Sequence, residues 1–248
     1  MIVKKFLKWS AIALIALILF AVAYGFIMHE PKPEGIPSPE ADALAEKMLQ
    51  AVNKTAWDST ALVSWTFRGG HHYLWDKERN FVRVDWDDKQ VLLHTKTVTG
   101  KAFENGQEVT GDAANELIQT AWKLFCNDSF WMSAPFKVFD PGTSRSLATD
   151  DEGRQGLMIT YQSGGVTPGD AYLWFLDENG MPQSYKMWVS IIPIGGLAFT
   201  WEDWATLPTG AKLAQMHKGA LLDIPIDGLK SGENFADFGL ESDPFLGL

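Results

Sequence analysis

Cysteines, catalytic motifs and metal-ligand patterns are the features that this sequence has least of. Cys126 is the single cysteine among 248 residues, so no intrachain disulfide can form, and we expect this thiol to be buried in a helix. No Gly-x-Ser-x-Gly, His-Glu-x-x-His or glycine-rich phosphate loop is present. The sequence therefore has no signature of a hydrolase, a transferase or a cofactor-binding protein.

The histidines and the adjacent acidic residues do not form a predicted metal or catalytic site. His71 and His72 are neighbours, so in a strand they point to opposite faces and cannot bind one ion together. The other histidines are far apart in sequence: His29, His94 and His217. Glu202-Asp203 and residues 150–152 are adjacent carboxylates, which are usually solvated at strand ends or in loops.

Positive charge is also scarce. The 21 lysines and arginines are outnumbered by 31 acidic residues, which gives a formal net charge of −10. Such a surface repels phosphate backbones, so we expect no nucleic-acid partner.

Residues 1–28 differ from the rest of the chain. Lys4, Lys5 and Lys8 precede an uncharged apolar run, residues 11–28, that reaches roughly 27 Å as a helix, close to the thickness of a bilayer core. The basic residues predict that everything after the run is extracytoplasmic. Two alternatives stay open: a retained membrane anchor, or a signal peptide cleaved after the small-x-small motif at residues 21–23.

A proline-rich linker and an amphipathic helix follow. Residues 29–38 are predicted to be an extended linker that lifts the domain off the membrane. Ser38 and Pro39 are typical of a helix start, and Leu44, Met48 and Val52 form its apolar stripe. The domain itself is predicted to span residues 39–227, followed by a loosely held tail at 228–248.

Most of the domain has the period-two pattern of β-strands. Val82, Val84 and Trp86 alternate with charged residues, and Asn105-Gly106 is typical of a hairpin turn. A second helix is predicted after Gly111, ending by Asn127, and an irregular aromatic strap at 127–142. About ten or eleven antiparallel strands must curl, so the predicted fold is mainly β: an incomplete β-barrel covered by two or three helices.

Aromatic and sulfur-containing side chains are abundant. Eleven Trp, fifteen Phe and eight Met exceed what one face of a modest sheet uses, and residues 171–176 are apolar on both faces. The second apolar layer is either further core or the wall of a cavity suited to an acyl chain. The predicted cavity residues are Trp86, Tyr172, Trp174, Met187, Phe199 and Trp201.

Three segments resemble the LolA/LolB-like family of periplasmic lipoprotein carriers and lipid-binding proteins. They are RGGHHYLWDKERNFVRVDW, VLLHTKTVTGKAFENGQEV and DAYLWFLDENGMPQSYKMWV. The resemblance covers about residues 38–226 and implies a half-barrel with helices as a lid and a hydrophobic cavity for acyl chains. No cysteine stands at the end of the leader, unlike in lipid-anchored members, and no individual functional residue is carried over.

These features predict a non-enzymatic, extracytoplasmic domain that binds a lipid, an acyl chain or a lipoprotein in a half-barrel cavity. The first alternative is a membrane-anchored sensor or protein-interaction domain with a filled core. An enzyme of unknown type comes third, because the sequence offers no residues for it.

Overall fold

The computed structural model describes residues 9, 10, 12, 14–17, 25 and 29–248. Most of the predicted leader, residues 1–28, lies outside the described residues, so anchor and cleaved signal both stay predictions. Among the described residues, no helix is both long enough and apolar enough to cross a membrane.

Three α-helices lie within residues 29–248: α1 (Pro39–Ala51), α2 (Lys54–Ser59) and α3 (Gly111–Ser133). α1 begins as predicted, because the side-chain oxygen of Ser38 accepts a hydrogen bond from the Ala41 backbone N–H at 3.3 Å. The sequence pattern did not predict the short helix α2, which places Trp57 in the core.

α3 continues beyond the predicted end at Asn127 to Ser133. The polar residues there do not end the helix, because the buried Asp128 carboxylate accepts hydrogen bonds from Tyr73 Oη at 2.5 Å and from His71 Nδ1 at 2.7 Å. A 3₁₀ turn, Ala134–Lys137, follows directly, so much of the predicted irregular strap is helical.

Fourteen strands lie within residues 29–248, more than the ten or eleven predicted. Their bounds are β1 (Leu62–Phe67), β2 (His71–Asp76), β3 (Phe81–Trp86), β4 (Lys89–His94), β5 (Thr99–Glu104), β6 (Gln107–Val109), β7 (Thr143–Thr149), β8 (Gln155–Tyr161), β9 (Ala171–Leu176), β10 (Pro182–Trp188), β11 (Leu197–Thr200), β12 (Glu202–Thr206), β13 (Lys212–Lys218) and β14 (Asp223–Gly232).

The strands form two antiparallel sheets. The nine-stranded sheet has the order β12-β13-β14-β1-β2-β3-β4-β5-β6, and the five-stranded sheet has the order β11-β10-β9-β8-β7. β11 and β12 flank Trp201, so the chain passes from one sheet to the other there, and a bridge between Phe199 and Gly219 joins the two sheets. The predicted mainly β fold, an open curled half-barrel with a few helices, is confirmed.

The main core lies on the inner, concave side of the half-barrel, where α3 packs against β4, β5 and β13. A smaller apolar cluster lies on the outer face of the five-stranded sheet: Ala148, Met158, Ala171, Leu173 and Trp188, with Phe175 packed beside them. Both layers follow from strand alternation, since β9 sends Tyr172 and Trp174 inward and Leu173 outward.

Residues 29–38 do not extend away from the domain as the predicted linker would. Glu30 is buried beside the outer face, where its backbone N–H donates to Gly195 O at 3.0 Å and its carbonyl accepts from Trp188 Nε1 at 2.7 Å. Farther on, Ile36 forms a β-bridge with Leu147 of β7. These contacts, made with residues far away in sequence, hold the segment on the sheet.

The predicted loosely held tail begins inside a strand. β14 pairs with β1 as far as Gly232, and a 3₁₀ turn follows at Phe235–Phe238. Phe245 is buried with its ring 5.6 Å from that of Phe81, and Arg79 forms an ion pair with Asp243 at 2.6 Å. The tail therefore packs on the nine-stranded sheet.

Candidate functional site

The structure brings five of the six predicted cavity residues together on one wall. Tyr172, Trp174, Met187 and Phe199 face the inner side from β9, β10 and β11, and Trp201 follows β11; all five are buried. The rings of Trp174 and Trp201 have centroids 4.9 Å apart. We call these five residues, with Tyr185 between them, the inner wall.

The sixth predicted residue, Trp86, lies elsewhere. It is buried at the end of β3 in the nine-stranded sheet, in register with His71 on one side and Lys89 on the other. The sequence pattern identified its inward direction but could not place it relative to the five-stranded sheet.

Aromatic rings of α3 pack directly on the inner wall. The Trp131 ring lies 4.8 Å from Phe199 and 5.8 Å from Tyr185, and the Phe130 ring lies 4.7 Å from Tyr172. The concave side of the barrel is therefore occupied by side chains of its own covering helix.

Several polar atoms buried on this inner side have no hydrogen-bond partner in the described part of the chain. They are Nε1 of Trp65, Trp174 and Trp201, the hydroxyls of Tyr161 and Tyr185, and Nε2 of His217. An unpaired buried donor or acceptor costs about 1–3 kcal/mol, so a group of them needs an explanation beyond packing.

Burial keeps the side chains of Tyr161, Tyr185 and His217 neutral. It raises the pKa of Tyr161 and Tyr185 well above the usual value and lowers the pKa of His217 to about 4. His217 Nδ1 lies 3.1 Å from the carbonyl oxygen of Thr200, to which the neutral ring donates. The inner side thus offers N–H and O–H donors against apolar walls.

Asp128 is the functional candidate that the sequence did not reveal. Its buried carboxylate ties α3 to Tyr73 and to His71, which is partly exposed. A carboxylate that orients an imidazole is found in catalytic triads, but no serine, threonine or cysteine in the described residues hydrogen-bonds to His71. The arrangement fastens the helix to β2.

Two surface clefts lie on the outside of the barrel. One, of about 290 Å³, lies between residues 33–38 and β7; the other, of about 260 Å³, lies over β1–β3 and is lined by His72, Arg83 and Lys230 among others. None of the six predicted residues lines either cleft. Among the described residues, no group of three or more His, Cys, Asp or Glu side chains is placed to hold a metal ion.

No family model and no curated protein matches this chain. Among solved structures, it is similar to a DUF1329 family protein from Desulfovibrio piger, with 11% identity and a TM-score of 0.40 over 82% of this chain and 97% of that one. It is also similar to a putative outer membrane lipoprotein-sorting protein domain from Vibrio parahaemolyticus, with 9% identity and a TM-score of 0.33 over 78% and 97% of the two chains. Similarities this low carry no information about function, so the function has to be inferred from the chemistry of the site.

Proposed function

We propose that this domain is a non-catalytic binding module that holds a lipid, or the acyl chain of a lipidated partner, between the inner wall and α3. The observation that carries the proposal is the pairing of aromatic surface with unpaired donors on that wall. An acyl ester or amide has the complementary features, since its hydrocarbon suits the rings and its carbonyl oxygen accepts from Trp and Tyr donors.

Binding requires α3 to act as a removable cover. A hydrocarbon guest would take the volume that Phe130 and Trp131 fill, and the helix would withdraw with them. The hydrogen bonds of Asp128 to Tyr73 and His71 are the polar contacts that oppose this withdrawal. Gly111, with φ +71°, starts the helix in a conformation that glycine adopts without strain.

The proposal places the domain on the extracytoplasmic side of a membrane. Its support is the order of Lys4, Lys5, Lys8 and the uncharged run at 11–28, which is typical of a segment that delivers the following chain across a bilayer. Whether the leader is retained or removed, the binding site is the same.

A second candidate is a membrane-anchored sensor or protein-interaction domain. The observation that favours it is the filling of the concave side by the rings of α3, which leaves a packed core as the resting state. In that case α3 stays in place and a protein partner binds the outside.

Native mass spectrometry of the full chain, extracted from membranes in a mild detergent, tests the proposal. We expect to detect an acyl lipid that stays bound to the protein when the detergent is removed in the gas phase. The double variant Trp174→Phe/Trp201→Phe should lose most of it, because two inner donors are gone, whereas Trp188→Phe, altered on the outer face, should retain it.

Two results would count against lipid binding. One is a wild-type chain with no lipid adduct; the other is an adduct retained equally by both variants, as expected of lipid around a membrane segment. Capture of a protein partner by cross-linking, together with a lipid-free mass, would instead support the second candidate.

A further inference from the structure

Three neighbouring loops carry exposed aliphatic side chains, and none of their exposed residues is charged. They are residues 162–170 between β8 and β9, 189–196 between β10 and β11, and 219–222 between β13 and β14; together we call them the apolar rim. Ile191 is 69% exposed and Leu221 74% exposed, and Val166 and Leu222 are exposed as well. In a chain with 21% charged residues, the only charged residue of these three loops is Asp170, which is buried.

The strand register places these loops at one end of the barrel. Ala171, at the start of β9, pairs with Trp188 at the end of β10, so the first two loops are adjacent, and Ser190 N donates to the buried Asp170 carboxylate at 2.9 Å. The bridge between Phe199 and Gly219 brings the third loop to the same place.

Loops at the other end of the five-stranded sheet are charged. The β7–β8 turn contains Asp150, Asp151 and Glu152, and the β9–β10 turn contains Asp177 and Glu178. The turns that continue around the nine-stranded sheet on the rim's own side also carry charges, at Arg68, Asp87, Asp88 and Glu104. Exposed charges also border the rim, since Lys218 and Asp223 flank residues 219–222 and Lys218 pairs with Glu202. The uncharged surface is thus confined to the three loops themselves.

The chain enters the domain at the rim. The Gly195 backbone N–H donates to His29 Nδ1 at 3.0 Å, and a Cβ on Gly25 would lie 3.7 Å from Ile194 Cδ1. The uncharged apolar run of the leader ends at Met28, directly before His29. Because residues 29–38 lie along the sheet, they provide no spacer between the leader and the rim.

We propose that the apolar rim inserts into the interface of the bilayer that holds the leader. The partner is a lipid surface, because the rim adjoins an apolar segment long enough to span a bilayer and its exposed residues lack the charges by which the rest of this acidic protein repels anionic headgroups. Ile191 and Leu221 are the deepest residues of the contact, and the charged end of the sheet points away from the membrane. The rim faces outward, so this inference is independent of the proposed inner binding site.

The test measures the depth of single labelled sites in the full chain, reconstituted in phosphatidylcholine liposomes. With Cys126→Ala as background, Ile191→Cys and, as matched control, Glu178→Cys each carry an NBD fluorophore; both positions are exposed, so neither change removes core packing. We expect the Ile191 probe to show blue-shifted emission, quenching by doxyl-labelled lipid and protection from iodide. The Glu178 probe should show the reverse.

Equal quenching of the two probes by iodide would overturn the proposal. Protection of the Ile191 probe from iodide without quenching by doxyl lipid would also overturn it, since that result indicates that a protein surface, such as a second copy of this chain, covers the rim.

Discussion

Trp188 and Trp174 lie on neighbouring strands of one sheet and face opposite sides. On the outer face, Trp188 Nε1 donates to the Glu30 carbonyl at 2.7 Å, and the buried ammonium of Lys186 contacts Glu30 at 2.7 Å and Asp151 at 3.0 Å. On the inner face, Trp174 Nε1 has no partner in the described residues. The polar groups of the outer face are paired with one another, whereas the inner face has buried N–H and O–H groups without a partner among the described residues.

The largest expected effect is on the outer face. Replacing Lys186, whose side chain is 6% exposed, with alanine leaves the buried carboxylate of Glu30 without its cation, whereas Asp150 keeps its ion pair with Arg154. Burial alone lowers the pKa of Lys186, but the hydrogen bonds that its ammonium donates to Glu30, Asp151 and Asp150 outweigh burial and raise the pKa, so the lysine is charged. We expect Lys186→Ala to lower the free energy of unfolding by about 3–5 kcal/mol in urea titrations.

Lys218→Ala is the matched control for that variant, because Lys218 pairs with Glu202 on the surface. Its loss should cost less than about 1 kcal/mol. If the two lysine variants were equally stable, the outer cluster would contribute nothing to fastening residues 29–38.

The second-largest expected effect is on the pH dependence of stability and comes from His217 on the inner face. Burial lowers the pKa of His217 from 6.5 to about 4, so between those values the unfolded chain binds a proton that the folded chain does not. The contribution of His217 to the free energy of unfolding is complete above pH 6.5, and about 3 kcal/mol of it is lost as the pH falls toward 4. In urea titrations across this range, His217→Gln should lack that part of the pH dependence; an unchanged pH dependence would mean that His217 binds protons equally in the folded and unfolded states.

A smaller effect separates the two faces directly. Trp188→Phe and Trp174→Phe remove the same volume, but only the first breaks a hydrogen bond, which leaves the buried Glu30 carbonyl without a donor. Trp188→Phe should therefore be less stable than Trp174→Phe by about 1–3 kcal/mol, measured as the difference between their unfolding free energies. Equal stabilities would indicate that the inner N–H is paired in solution.

The sequence predicted the elements that depend on local patterns. The alternation around Val82 and Val84 and the Ser38 cap of α1 match the structure. The break at Trp201 was not predictable, because residues 197–204 read as one continuous strand and only its pairing with two different sheets divides it.

Long-range contacts explain the features that the sequence did not predict. Asp128 reads as a polar helix end, yet its partners His71 and Tyr73 are 57 and 55 residues away. The proline-rich segment reads as a linker, yet Glu30 meets Lys186 156 residues later in the chain. For the site, alternation identified which residues of β9 face inward, but whether the Trp174 N–H has a partner depends on all the elements packed around it.

The most direct test of the inner wall as a binding surface is a titration with cis-parinaric acid, a fluorescent fatty acid, of the wild type, Trp174→Phe and Trp188→Phe. We predict that Trp174→Phe raises the Kd about 2- to 10-fold, the value of one hydrogen bond, while Trp188→Phe binds like the wild type. Equal Kd values for the two variants, or the absence of saturable binding by the wild type, would contradict the account.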